Sequence, residues 1–83
     1  MNKKKKALLV AAHGSRKKVS NIEIHQLANN ILLKSQVFDI VEACFLEIAK
    51  PSIPDGIKSC IEKNASEILI MPYFLAAGMH VIE

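Results

Sequence analysis

The chain alternates between short apolar runs and longer segments whose apolar residues recur at helical spacing. Residues 7–12 form a continuous apolar run of strand length, which ends in a polar cluster at residues 13–16. An uninterrupted run of this kind is typical of a strand buried on both faces in a parallel sheet. Residues 37–46, rich in β-branched and aromatic side chains, predict a second strand, and residues 67–71 predict a third buried strand.

The segment between the first two strands predicts an amphipathic helix that packs on a sheet. Its apolar stripe has the spacing i, i+3, i+4, i+7 and i+8: Ile24, Leu27, Ala28, Ile31 and Leu32. Ser20, followed three residues later by Glu23, predicts a capping box at the start of this helix, because each side chain satisfies a free backbone N–H of the other. We expect the helix to end near Ser35.

A second helix is predicted to begin at Ser52. Asp55, three residues later, completes a box-like cap, and Pro54 fits the first turn, where its missing N–H has no intrahelical partner to lose. The apolar face of this helix is formed by Ile53, Ile57, Cys60 and Ile61. Asn64 tolerates the left-handed backbone conformation that ends a helix, so we expect the helix to stop there.

The order strand, helix, strand, helix, strand predicts an α/β fold. Right-handed crossovers favour the strand order 2-1-3 in a parallel sheet, half of a flavodoxin-like fold, with one helix on each face of a three-layer sandwich. Ligands bind at the carboxyl edge of such sheets. His13 follows the first strand, Glu47 the second and His80 the third. We therefore expect His13 and His80 at one crevice, between the first and third strands, and Glu47 on the same edge of the sheet. Gly14 allows the turn after the first strand.

The third strand is followed by no predicted helix. A bare apolar edge invites pairing with another strand. We therefore expect either that the chain is a fragment or that a partner subunit covers this edge. The chain divides into a basic N-terminal tail, residues 1–6, and a single α/β domain, residues 7–83, that is expected to be incomplete.

The amino-acid composition and charge indicate which classes of binding partner to expect. The 83-residue chain is 51% hydrophobic and 23% charged, which is typical of a globular protein. The net charge is +3, and the four lysines at positions 3–6 supply more than that. No aromatic residues are interleaved with these lysines, so we expect a solvated tail and no nucleic-acid partner. The longest apolar stretch, residues 68–79, contains Pro72 and is shorter than the roughly 20 residues of a membrane helix, so we expect no membrane partner.

The two cysteines and the start of the chain predict a cytoplasmic protein. The first residues lack the pattern of a secretory signal. Cys44 and Cys60 do not form the close pair that is typical of a metal site. We expect them to be reduced, buried thiols.

Two histidines and one carboxylate at one sheet edge support three interpretations. Imidazole and carboxylate groups bind divalent transition metals. They also transfer protons near neutral pH, because an unperturbed imidazole titrates at about 6.5. In the third interpretation they are satisfied polar residues at the rim with no chemical role. His25 shares the solvent side of the first helix with Asn21 and Asn29, so we expect it to be a surface residue.

Three blocks of the chain resemble the small sirohydrochlorin cobaltochelatases of the class II chelatase family. The first block is residues 13–16, His-Gly-Ser-Arg. The second is residues 45–54, Phe-Leu-Glu-Ile-Ala-Lys-Pro-Ser-Ile-Pro, and the third is residues 72–80, Pro-Tyr-Phe-Leu-Ala-Ala-Gly-Met-His. The spacing between the blocks also fits, and the resemblance covers nearly the whole chain.

The resemblance implies a chelatase, a lyase that inserts Co²⁺, or in close relatives Fe²⁺ or Ni²⁺, into a sirohydrochlorin-type tetrapyrrole without an organic cofactor. The resemblance leaves the pathway open between cobalamin, sirohaem and another tetrapyrrole biosynthesis. The resemblance further implies that His13 and His80 are the paired catalytic histidines, which hold the metal and accept pyrrole protons. Glu47 matches the acidic catalytic position of the family. We expect substrate contacts from six residues: Ser15, Arg16, Phe74, Leu75, Ala76 and Gly78.

Two features leave more than one interpretation open: the basic residues 16–18 and the C-terminal end of the sequence. Arg16, Lys17 and Lys18 either pair with substrate carboxylates or form a solvated loop. Relatives continue past the second histidine with an Asp-Ile-Pro segment, a further helix and a fourth strand, so the chain resembles a C-terminally truncated member. The small members of the family are homodimers, and we expect a homodimer here. The alternatives are a module that binds metal or tetrapyrrole without turnover, and an inactive fragment that does not fold alone.

Overall fold

The computed structural model describes residues 4–74, which form a βαβαβ unit. Its elements are β1 (Lys5–Ala12), α1 (Lys18–Lys34), β2 (Ile40–Phe45), α2 (Ile53–Glu62) and β3 (Ala65–Pro72). The strands are parallel and lie in the order β2-β1-β3, with β1 at the centre. The predicted α/β class and the 2-1-3 strand order are therefore confirmed.

Alternate residues of β1 pack into two separate core layers, one on each face of the sheet. The layer beneath α1 contains every second residue of β1: Leu8, Val10 and Ala12. The layer beneath α2 contains the residues between them: Ala7, Leu9 and Ala11. Because both faces of β1 are covered from Ala7 to Ala12, its sequence is apolar at each of these positions, and the predicted three-layer sandwich is confirmed.

The prediction that β3 is a buried strand is wrong for the described residues. The strand alternates between partly buried and exposed positions, and Leu69 and Ile70 are 52% and 45% exposed. Within residues 4–74 its hydrogen-bonded neighbour is β1, so β3 lies at an edge of the sheet. In β3, Met71 packs against the core layer on the α1 side, and Ala65 and Ile68 pack against the layer on the α2 side.

Helix α1 starts earlier than predicted, and the capping box at Ser20 is wrong. The helix begins at Lys18, and the residue before it, Lys17, makes no side-chain cap hydrogen bond. Ser20 therefore lies inside the first turn, where its N–H donates to the Lys17 carbonyl at 3.1 Å. The helix ends at Lys34, as the sequence predicted.

Helix α2 follows the sequence more closely. The hydroxyl oxygen of Ser52 accepts a hydrogen bond from the Asp55 N–H at 3.2 Å, so the predicted N-cap is confirmed. Asn64 has a φ of 70°, which confirms the predicted left-handed position after the helix. Strand β2 is shorter than predicted, because the Ser35 hydroxyl accepts the N–H groups of Val37 and Phe38 and forms a turn there.

The layer beneath α2 contains the two cysteines. Cys44 and Cys60 are free, fully buried thiols, as predicted, and burial raises the pKa of each. At the edge of this layer the Lys63 ammonium donates to the Glu42 carboxylate, and this hydrogen bond raises the pKa of Lys63.

Within residues 4–74 neither helix combines the length and the apolar character needed to cross a membrane.

The two serines predicted to cap helices provide a matched test of the fold. We expect Ser52→Ala to lower the free energy of unfolding by about 1 kcal/mol, because the Asp55 N–H loses its acceptor. Ser20→Ala should change it by no more than about 0.5 kcal/mol, because alanine is the better helix former at a position that caps nothing. Urea unfolding of both variants measures the difference. Equal losses from both substitutions would contradict this assignment of the caps.

Candidate functional site

The carboxyl ends of β1 and β2 bring a histidine and a carboxylate together. His13 directly follows β1, and Glu47 lies two residues after β2. The His13 Nε2 atom lies 3.2 Å from a Glu47 carboxylate oxygen. Both side chains are 59% exposed, so the pair is accessible to a ligand from solvent. The site therefore combines a nitrogen ligand that also accepts protons with an anionic oxygen ligand.

Backbone hydrogen bonds extend the pairing of β1 and β2 into the two loops that carry this pair. The Leu46 N–H donates to the Ala12 carbonyl at 2.8 Å, and the Glu47 N–H donates to the His13 carbonyl at 3.1 Å. These bonds continue the parallel ladder beyond the last paired residues of the strands. The distance between His13 and Glu47 is consequently fixed at the backbone as well as between side chains.

Gly14 allows the two loops to approach this closely. Its φ is +99°, a backbone conformation that residues with a side chain rarely adopt. A Cβ atom at this position would lie 1.8 Å from the Glu47 carbonyl oxygen. Both the conformation and the contact therefore require glycine, which confirms the turn that the sequence predicted after the first strand.

The chain reverses sharply just after Glu47. The Ala49 N–H donates to the Glu47 carbonyl at 2.8 Å, which closes a three-residue γ-turn with Ile48 at its centre. Ile48 has a φ of 72°, an uncommon conformation for a β-branched residue. Such strain persists only where surrounding contacts enforce it, and it is concentrated at functional sites. The turn leaves Leu46 and Ile48 exposed beside the carboxylate.

The other side of the site is held by an asparagine that the sequence did not single out. The Asn21 side-chain oxygen accepts the Ser15 N–H at 2.9 Å, and its amide nitrogen donates to the Ser15 carbonyl at 2.7 Å. The sequence placed Asn21 on the solvent side of α1, but the residue is partly buried. The sequence gives little indication of this interaction, because a spacing of six residues between Ser15 and Asn21 matches no helix-capping pattern.

A cavity of about 400 Å³ opens beside His13. It is lined by the loop after β1, the first half of α1, the end of β2 and the residues that follow β3, among them Ser15, Asn21, Phe45 and Phe74. The Phe74 ring meets the His13 ring edge-to-face, with centroids 6.2 Å apart. This aromatic contact fixes one wall of the cavity against the imidazole.

The remaining candidate residues are distributed as follows. Arg16, Lys17 and Lys18 are all exposed at the start of α1. His25 is exposed, as predicted, although its ring lies 5.5 Å from that of the buried Phe45. Four of the predicted site residues lie outside the described residues: Leu75, Ala76, Gly78 and His80.

The described residues provide only part of a metal coordination sphere. Within residues 4–74 no three histidine, cysteine, aspartate or glutamate side chains are grouped closely enough to hold a metal ion. His13 and Glu47 offer two ligands, which leaves further coordination positions open to other donors.

Comparison with known proteins gives consistent matches. The CbiX family model matches residues 7–83. A sirohydrochlorin cobaltochelatase of Methanocaldococcus jannaschii is 38% identical over 74 residues, which cover 89% of this chain and 51% of that protein. One from Methanococcus aeolicus is 39% identical over the same shares. The chloroplastic sirohydrochlorin ferrochelatase of Arabidopsis thaliana is 32% identical over 88% of this chain and 32% of that protein. The chain thus spans about half the length of these archaeal relatives.

The glycine contact generates a prediction about stability. We expect Gly14→Ala to lower the free energy of unfolding by about 2 kcal/mol or more, because the new Cβ meets the Glu47 carbonyl in an unfavourable backbone conformation. Gly56→Ala is the matched control. Its Cβ would lie 3.1 Å from the Cys44 Cβ, and the helix gains about 1 kcal/mol of propensity, so we expect a smaller loss. Urea unfolding measures both variants, and a Gly56→Ala loss as large as that of Gly14→Ala would contradict this account.

Proposed function

Because this chain belongs to the CbiX family, we propose that it inserts a divalent metal ion into sirohydrochlorin, with His13 and Glu47 at the point of metal transfer. The observation that carries the proposal is the 3.2 Å approach of the His13 Nε2 atom to the Glu47 carboxylate beside an open cavity. The family resemblance seen in the sequence is confirmed by the family match.

The chemistry of metal insertion fits a histidine paired with a carboxylate. Insertion brings a dication to the macrocycle and removes two N–H protons from its pyrrole nitrogens. A neutral imidazole binds the ion through Nε2, and after the ion moves to a pyrrole nitrogen the same atom accepts a released proton. The Glu47 carboxylate lies 3.2 Å from this atom and places a negative charge beside the incoming dication.

The second proton needs a second base. We assign this role, and a share of the metal coordination, to His80, because it matches the second histidine of the family and follows β3 in the chain. Parallel strands have their carboxyl ends at the same edge of a sheet, so the chain leaves β3 at the edge where His13 follows β1. His80 lies outside the described residues, and this assignment depends on the sequence alone.

Exposed apolar side chains around His13 provide a surface for a flat macrocycle. Tyr73 and Phe74 are 41% and 39% exposed at the end of β3, and Leu46 and Ile48 are 55% and 60% exposed next to Glu47. Apolar side chains exposed together mark binding surfaces. We propose that the tetrapyrrole lies against them, and that three residues continue this surface: Leu75, Ala76 and Gly78.

Basic residues that follow Ser15 in the chain suit the carboxylates of sirohydrochlorin. Arg16 is exposed between Ser15, which lines the cavity, and two further exposed cations, Lys17 and Lys18. Arginine binds carboxylates through two parallel hydrogen bonds, which fixes orientation as well as position. We propose that Arg16 and Ser15 orient the substrate.

We propose Co²⁺ as the metal, with Fe²⁺ or Ni²⁺ as alternatives, and hence a role in cobalamin or sirohaem biosynthesis. Imidazole and carboxylate ligands accept all three ions. The archaeal relatives named above are cobaltochelatases, whereas the Arabidopsis relative is a ferrochelatase.

We further propose that the protein is cytoplasmic and forms a homodimer. The dimer is proposed because Leu69 and Ile70 leave an apolar sheet edge that a second subunit would cover.

Removal of the central imidazole tests the assignment. We expect His13→Ala to reduce the rate of metal insertion at least about 100-fold, because the variant loses both the metal ligand and the proton acceptor. His25→Ala serves as the control, since it removes an exposed histidine outside the site. The change in the absorbance spectrum of sirohydrochlorin on metallation measures the rate, and circular dichroism verifies the fold. A His13→Ala variant that inserts metal at the wild-type rate would refute the assignment.

A titration separates an enzyme from a module that only binds. We expect sirohydrochlorin alone to give a binding shift, and subsequent Co²⁺ to give the further spectral change of metallation in repeated turnovers. The apolar surface around Phe74 accounts for the first step, and the His13–Glu47 pair accounts for the second. Binding without a metallation change would favour the binding module over the enzyme.

A further inference from the structure

The Asn21 side chain binds both backbone hydrogen-bonding groups of Ser15, which lies in the loop between β1 and α1. It accepts the Ser15 N–H at 2.9 Å and donates to the Ser15 carbonyl at 2.7 Å, and both bonds are partly buried. Two bonds of opposite direction to a single residue fix its φ and ψ. An amide side chain suits this role, because it carries a donor and an acceptor side by side.

This amide does not serve its own helix. The N-cap position of α1 is Lys17, which makes no side-chain cap hydrogen bond. Asn21 lies in the first turns of that helix, yet its side chain reaches back to the loop rather than to the free N–H groups of the helix. The interaction therefore holds the loop to the helix.

The loop between β1 and α1 is held at two points on either side of Gly14. On one side, the His13 carbonyl accepts the Glu47 N–H at 3.1 Å, and Gly14 lies against the Glu47 carbonyl. On the other side, Ser15 is held by Asn21. If the two Asn21 bonds to Ser15 are lost, the contact between Gly14 and the Glu47 carbonyl loses its support on the α1 side. The hydrogen bond from the Glu47 N–H to the His13 carbonyl still restrains it on the β1 side.

We propose that Asn21 is a positioning residue, which acts through Ser15 to keep His13 at its distance from Glu47. It touches neither member of that pair directly, so its effect passes through the loop backbone. The inference extends the proposed function and depends on it for the consequence in metal transfer. The structural part of the inference is that Asn21 of α1 restrains the loop that contains Glu47. It is supported by the hydrogen bonds and does not require the proposed function.

The experiment compares Asn21→Leu with Asn30→Leu in the full chain. Leucine has the same number of side-chain heavy atoms as asparagine, branched at the same carbon, and lacks both hydrogen-bonding groups. Asn30 is an exposed residue of the same helix. Amide hydrogen exchange at Glu47 and at Val10 is measured by NMR. Val10 is fully buried in the central strand, so its exchange rate reports the global stability of the fold.

We expect Asn21→Leu to accelerate Glu47 exchange about tenfold more than it accelerates Val10 exchange, because release of Ser15 favours a local opening that frees the Glu47 N–H without global unfolding. Asn30→Leu should change the two amides equally. In calorimetric titrations with Co²⁺ alone, we expect Asn21→Leu to raise the Kd about 5- to 10-fold and Asn30→Leu to leave it within about 2-fold. Asn21→Asp, which keeps the acceptor and loses the donor, should also accelerate Glu47 exchange selectively.

Two results would overturn the inference. One is equal acceleration at Glu47 and Val10 in Asn21→Leu, which would show a purely global loss of stability. The other is selective acceleration at Glu47 with an unchanged Co²⁺ affinity, which would show that the loop moves without consequence for the site. If the wild-type chain binds no Co²⁺, the proposed function fails, whereas the exchange measurements still decide whether Asn21 holds the Glu47 loop.

Discussion

The site depends on the parallel pairing of β1 and β2 continuing beyond the ends of both strands. Two backbone hydrogen bonds carry the ladder into the loops, and the absence of a side chain at Gly14 lets those loops touch. A histidine and a carboxylate that lie 34 positions apart in the sequence are thereby brought to 3.2 Å. Their relative position is set by backbone geometry, which is stiffer than a contact between two exposed side chains.

The rest of the molecule supports this edge with a rigid platform and a strained loop. The central strand is buried on both faces, so its carboxyl end moves little relative to the core. The strained γ-turn at Ile48 then directs the chain away just after Glu47. Binding residues on loops that a packed scaffold holds in place are a common arrangement in α/β proteins.

Much of the fold could be predicted because local patterns and long-range packing agree. The continuous apolar run of residues 7–12 indicates a strand covered on both sides, and Ser52 and Asn64 mark the ends of α2 by local chemistry. Strand β3 shows where such reasoning stops. Its apolar residues match those of a buried strand, but burial depends on what lies against it, and the described helices cover mainly β1 and β2.

The sequence by itself determined which chemical groups stand at the carboxyl edge of the sheet, because His13 and Glu47 directly follow predicted strands. The tertiary structure decided how they are held. Neither the hydrogen bonds from Asn21 to Ser15 nor the turn at Ile48 leaves a periodic or capping signal. Hydrophobic periodicity records the solvent exposure of each position, whereas these contacts depend on the distance between segments that only the folded chain brings together.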